Sequence, residues 1–142
     1  MKITNQQPTM TLQLKTHPVW QDLTEVLANL DANALVTEHL ELCDYKISGY
    51  WDEQDKFYEE ITLPRSLSPE LVSCSIGVTG KKRWIKLKFA LKAEGSAAED
   101  SLNDNAIKDF GELTIIYDEN LQFMDENWQI NMDSPLIRPL AK

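Results

Sequence analysis

The sequence predicts an α+β fold: one long N-terminal helix packed on a curved, mainly antiparallel meander sheet of five to seven strands, with a small open β-barrel carrying a helix as the alternative. Apolar residues recur at strong helical spacing in one place, from Val19 to Leu30. From Cys43 onward, short runs of alternating apolar and polar residues are separated by turn residues. The clearest of these runs is residues 71–92, LVSCSIGVTGKKRWIKLKFALK, in which both halves alternate about Gly80.

Along the chain, residues 1–8 are polar and expected to be flexible. Met10, Leu12 and Leu14 alternate with Thr9, Thr11 and Gln13, as in a short first strand. Thr16 offers an N-cap ahead of Pro18, and Val19, Trp20, Leu23, Val26, Leu27 and Leu30 then form one helical stripe. Asp31, Ala32 and Asn33 interrupt or end that helix, with residues 34–39 as a further turn. Cys43, Tyr45, Ile47, Gly49 and Trp51 share one strand phase while Leu40 and Leu42 lie on the other, so a bulge or a change of element is expected near Leu42.

Residues 52–56 form a polar turn, and Phe57, Ile61 and Leu63 follow, with Glu59 among them, until Pro64 closes the run. After a loop over residues 65–70 comes the hairpin, with Cys74 and Leu87 turned inward. Residues 94–109, rich in glycine, serine, alanine and Asn-Asp pairs, read as a surface loop. Residues 113–117 are apolar on both faces, as in a central strand. Asp118-Glu119-Asn120 and Asp125-Glu126-Asn127 both read as turns. Pro135 and Pro139 imply an extended tail whose Leu136, Ile137 and Leu140 dock back, ending in a flexible stretch over 138–142.

At 142 residues the chain is expected to be a single globular domain over 1–142, able to bury roughly two-thirds of its unfolded surface. Residues 1–15 lack the apolar core of a signal peptide, and no stretch approaches a bilayer-spanning length. A cytoplasmic location and no membrane partner are therefore expected. Phosphate-loop, dinucleotide, zinc-protease, hydrolase-elbow, CxxC and EF-hand patterns are all missing from the sequence, so no metal, no cofactor and no enzymatic activity are expected.

The two histidines are His17, at the helix entrance, and His39. A nucleophilic role for Cys43 would need His39 beside it to lower the thiol pKa. The carboxylates crowd into turns, where their ordinary work is solubility and turn formation. Glu59 stands apart because it shares a strand with Phe57 and Ile61, and burial there would demand a partner or a raised pKa.

Charge is the one functional signal. Net charge is −9, yet residues 71–92 hold six of the fourteen basic residues and no acid, so the remaining eight face 23 carboxylates, a net −15 elsewhere. An acidic surface repels phosphate and attracts cationic proteins. The residues expected to bind such a partner are Tyr50, Trp51, Asp52, Glu53, Asp55 and Tyr58, aromatic anchors within negative charge. The leading expectation is a non-catalytic protein-binding domain, of the kind found in immunity proteins and antitoxins that inhibit a cationic toxin or nuclease. A small-molecule-binding or cofactorless-enzyme domain is the runner-up, and a structural or assembly subunit the third. The basic ribbon of Lys81, Lys82, Arg83, Trp84, Lys86 and Lys88 is a secondary surface with the stacking and phosphate-contacting groups that single-stranded nucleic acid requires.

Cys43 and Cys74 both fall within apolar alternation, and two cysteines in a chain this long do not make a disulfide framework. Both should be reduced thiols that react slowly until the protein unfolds. A native mass two protons below that of the reduced chain would overturn this.

Overall fold

The computed structural model describes residues 14–94 and 107–141, which fall into two compact units, one ending at Asp31 and one beginning at Ala32. In the first unit a single 3-10 turn, Leu14–Thr16, precedes helix α1, Val19–Asn29. His17 meets the helix start: the Val19 N–H donates to its Nδ1 at 2.9 Å. The Trp20 indole N–H donates back to the Leu14 carbonyl. Leu30 ends the helix in extended backbone, φ −91° and ψ 122°, and none of the α1 residues is buried.

The second unit opens with α2, Ala32–Leu42. The expected single long helix is thus two helices, because the extended Leu30 breaks the hydrogen-bond ladder. The second is a full element with its own apolar stripe: Ala32, Val36 and Leu40, four residues apart, are its buried residues. The change of element foreseen near Leu42 is this helix end. Residues 1–8, the expected first strand up to Gln13 and most of the expected loop over 94–109 lie outside the described residues.

The expected single meander is two antiparallel sheets. Strands β1 (Lys46–Trp51), β2 (Phe57–Thr62) and β7 (Arg138–Ala141) form one, in the order β1-β2-β7. Strands β3 (Ser68–Thr79), β4 (Lys82–Glu94), β5 (Ile107–Asp118) and β6 (Phe123–Ile130) form the other, in the order β3-β4-β5-β6. Neither closes into a barrel. The split falls at Pro64, which has no N–H to continue a ladder, and at the turn in which Leu67 N–H donates to the Pro64 carbonyl. Arg138–Ala141, expected within a flexible end, instead pair with β2. Asp125-Glu126-Asn127, expected as a turn, lie within β6 opposite Ile116, Ile115 and Thr114. Turn propensity loses there to a partner strand already in register.

The hairpin about Gly80 forms as the alternation predicts, with Cys74 opposite Leu87 and Ile76 opposite Ile85. The same face continues across β5, where Ile115 sits opposite Leu87 and Leu113 opposite Phe89. Leu87, Leu113 and Ile115 are wholly buried, as are Val36 and Leu40 nearly so. Helix α2 packs on β3 and also reaches β6 through His39, so it lies across the apolar face from one edge strand to the other. On the outer face Trp84 covers Gly77; a Cβ added there would come within 1.9 Å of the indole, so only glycine fits.

Leu87 is the central residue of this layer, and removing its side chain leaves a cavity the flanking strands cannot close. Leu87→Ala should cost roughly 2–5 kcal/mol in a urea unfolding titration. A loss under about 1 kcal/mol would show that the face is not packed as described.

Candidate functional site

The turn between β1 and β2 is built around one carboxylate. Asp52 Oδ1 accepts the Gln54 and Lys56 N–H groups, each at 2.9 Å, and Oδ2 accepts the Tyr58 hydroxyl at 3.1 Å. These bonds, the one from the Lys56 N–H foremost, hold the Asp52 carboxyl below the usual range, while burial and the Asp52 contact push Tyr58 up. Glu53, next to it, is exposed. Tyr50 steadies the turn from the other side, its hydroxyl oxygen accepting the Ile130 N–H at 2.9 Å and so joining β1 to the end of β6.

That junction creates a cleft of about 370 Å³. Its walls are the β1–β2 turn, the start of β5 and the loop after β6, which bring Asp52, Glu53, Asp109, Glu112 and Asp133 together with no basic residue among the described lining residues. Each wall is locally braced. Asp109 Oδ1 accepts the Gly111 N–H at 3.1 Å, and the Asp133 N–H donates to Asn131 Oδ1 at 3.0 Å. Gly111 permits the close approach of β6, since a Cβ there would lie 2.5 Å from the Gln129 carbonyl oxygen. Lys88, 3.4 Å from Glu112, partly offsets one carboxylate from the outer face. What remains is a concave anionic surface suited to a lysine or arginine side chain.

The residues expected from the sequence divide between roles. Asp52 and Glu53 line the cleft, and Asp55 is exposed beside it. Tyr58 is buried at 6% exposure and Tyr50 half-buried, so the two tyrosines, with rings 6.4 Å apart, support the turn and are not contact anchors. Trp51 is 62% exposed and packs on Phe57 at 4.9 Å, as an aromatic edge outside the cleft. The phase changes because Gly49 is left-handed at φ 69° and pairing with β7 shifts between Tyr58 and Glu60. Asp109, Glu112 and Asp133 were not foreseen; they come from distant segments, and only the turn-forming Asn131-Met132-Asp133 hinted at a loop there.

Three of the six cations of the hairpin have acidic neighbours within the chain. Lys92 pairs with Glu70 at 2.5 Å, Lys88 with Glu112, and Arg83 with Glu119 at 3.9 Å, while Lys86 lies over the Trp84 ring at 5.9 Å. Lys81 and Lys82 stand exposed at the tip. Glu59 is exposed, so it needs no buried partner. Cys43 Sγ donates to the Leu40 carbonyl at 3.4 Å, and both cysteines are free thiols. Burial pushes the Cys74 thiol up. Among the described residues no cluster of His, Cys, Asp or Glu is placed to hold a metal ion, and no helix is long and apolar enough to cross a membrane.

His39 serves a different partner from Cys43. Its Nε2–H donates to Glu126 Oε1 at 2.6 Å, and its ring stacks against Phe123 and Trp128 at 5.2 and 6.3 Å. That bond, with a further one from the Trp128 side chain, holds Glu126 below its ordinary pKa against the opposing effect of burial. A carboxylate with a lowered folded pKa contributes stability fully above about pH 4.3, the ordinary glutamate value, and loses it as pH falls through the folded pKa. Glu126→Gln should therefore cost roughly 1 kcal/mol at neutral pH, discounted for partial exposure, and the wild-type advantage should fade below about pH 4. Urea titrations across that range check this; a difference that is independent of pH would overturn it.

No protein-family model matches the chain, and neither the curated proteins nor the solved structures include one to which it is significantly similar.

Proposed function

We propose that this protein is a non-catalytic binding domain that captures a cationic segment of a protein partner in the acidic cleft, in the manner of an immunity protein or antitoxin that blocks a basic toxin or nuclease. The observation that carries this reading is the convergence of five carboxylates from separate segments on one concavity, with no basic residue among its described lining residues. Like charges so placed repel one another, and a bound guanidinium or ammonium relieves that repulsion. The net charge of −9 adds long-range attraction for the same partner. The basic ribbon, in which Glu70, Glu112 and Glu119 engage Lys92, Lys88 and Arg83, supports a nucleic-acid reading less well. One observation favours the small-molecule reading: a second cleft of about 580 Å³, lined by Thr62, Leu63, Pro64, Arg65, Leu136 and Arg138 among others, would suit a small anion.

An arginine-rich peptide titrated against the protein tests the proposal. Binding should weaken steeply with salt, and Glu53→Lys with Asp133→Lys should slow association about tenfold or more and flatten the salt dependence. Asp52 is left intact because it organises the turn. Binding that survives the acidic-cleft variants but is abolished by Lys86→Glu with Lys88→Glu would overturn the proposal in favour of the ribbon. Absence of peptide binding, with a small carboxylate or phosphate raising the melting temperature, would transfer the function to the Arg65–Arg138 cleft.

A further inference from the structure

Strand β3 is an edge of the four-stranded sheet, 12 residues long, and among the described residues no strand pairs with the other side of its backbone. Edges of this kind are normally blunted by charge, proline, bulges or brevity. The other three edges follow that rule. β6 carries Asp125 and Glu126, β1 bends at the left-handed Gly49, and β7 has four residues, including Pro139. From Leu71 to Thr79, β3 carries neither charge nor proline, and it exposes Val72, Ile76 and Val78 at 50%, 43% and 68%. A bulge between Leu71 and Ser73 is confined to the start of that run, and the large exposed side chains of the run are aliphatic.

We propose that β3 is a self-association surface, on which two copies of this chain pair their β3 strands antiparallel about a twofold axis through Ser75. The sequence of the strand is self-complementary in that register. Val72 of one copy lies opposite Val78 of the other, and Cys74 opposite Ile76, so every exposed aliphatic residue of the edge meets an apolar partner. On the outer face Ser73 meets the Gly77 that Trp84 covers, and Ser75 meets its own copy. Ser73 to Gly77, on the far side of the bulge between Leu71 and Ser73, form the regular centre of that ladder. Repulsion between the two basic ribbons is reduced because Lys88, Lys92 and Arg83 already have acidic neighbours. The pairing is isologous, closes on itself and converts two four-stranded sheets into one continuous eight-stranded sheet.

Sedimentation of the full chain and of two variants tests this. The wild type should sediment as a dimer of the 16.3 kDa chain at micromolar concentration. Val78→Glu puts a charge on the edge, where it faces Arg83 across the hairpin and so leaves the fold intact by circular dichroism. It should raise the dimer dissociation constant at least about tenfold. Ser75→Cys places two thiols opposite each other on the axis, with Cα atoms about 4.5–5.5 Å apart and so within disulfide reach, and should give a disulfide-linked dimer on mild oxidation, whereas the wild type gives none. A monomeric wild type, a dimer unchanged by Val78→Glu, or a Ser75→Cys variant that does not cross-link would each overturn the proposal. The acidic-cleft variants should leave the dimer untouched, which keeps this result separate from peptide binding.

Discussion

The pairing of β4 with β5 is the constraint on which the rest of the second unit depends. It runs from Trp84 opposite Asp118 to Glu94 opposite Ile107, and it places Ile85, Leu87 and Phe89 in register with Tyr117, Ile115 and Leu113. These two central strands present one continuous apolar face, and a slip of one residue would turn Lys86, Lys88 and Thr114 toward the core. Helix α2 then has a surface to lie on, with Val36 and Leu40 buried, and β6 has an aligned partner that carries Asp125-Glu126-Asn127 through a segment of turn-like composition. The cleft depends on the same ladder. A register shift between Leu91 and Lys92 marks where β5 departs from strict pairing, and there Gly111 lets β6 approach and Asp109 and Glu112 face the β1–β2 turn.

Those parts of the fold that rest on short-range patterning were legible in the sequence. The 71–92 hairpin alternates cleanly from Ser73 to Leu87, beyond a bulge between Leu71 and Ser73, so its register followed from the need to bury Cys74, Leu87 and their neighbours on one side. The Asp118 turn was legible for a similar reason: its Oδ1 accepts the Asn120 and Gln122 N–H groups, local bonds that an aspartate forms without help from the rest of the chain. The division into two sheets was not legible, because it depends on where Pro64 and the following turn redirect the chain and on β7 returning to pair with β2. Period and propensity do not encode a long-range return of that kind.

The candidate site was half legible for the same reason. Asp52 and Glu53 stand out as a turn between two strands, but the carboxylates opposite them lie in segments brought near by tertiary pairing. The aromatic residues mislead in an instructive way. Tyr50 and Tyr58 beside acidic residues resemble contact anchors, yet their hydroxyls are drawn inward to the Ile130 amide and to Asp52. A tyrosine whose hydroxyl has an internal partner supports a surface and does not supply it.

The junction between α2 and β1 shows how the fold maintains an unfavourable local conformation. Asp44 and Tyr45 are consecutive and both left-handed, at φ 58° and 55°, which costs of order 1–3 kcal/mol for each non-glycine residue. Arg65 compensates from the β2–β3 connection, its guanidinium bonding Asp44 Oδ1 and lying 4.6 Å from the centre of the Tyr45 ring. The same side chain holds the Asp44 carboxyl below its usual range. The Leu63 N–H closes the arrangement by donating to the Tyr45 carbonyl at 2.8 Å. Arg65 thus ties the helix end to the segment where the chain leaves one sheet for the other, and the tight turn lets β1 start within a few residues of α2.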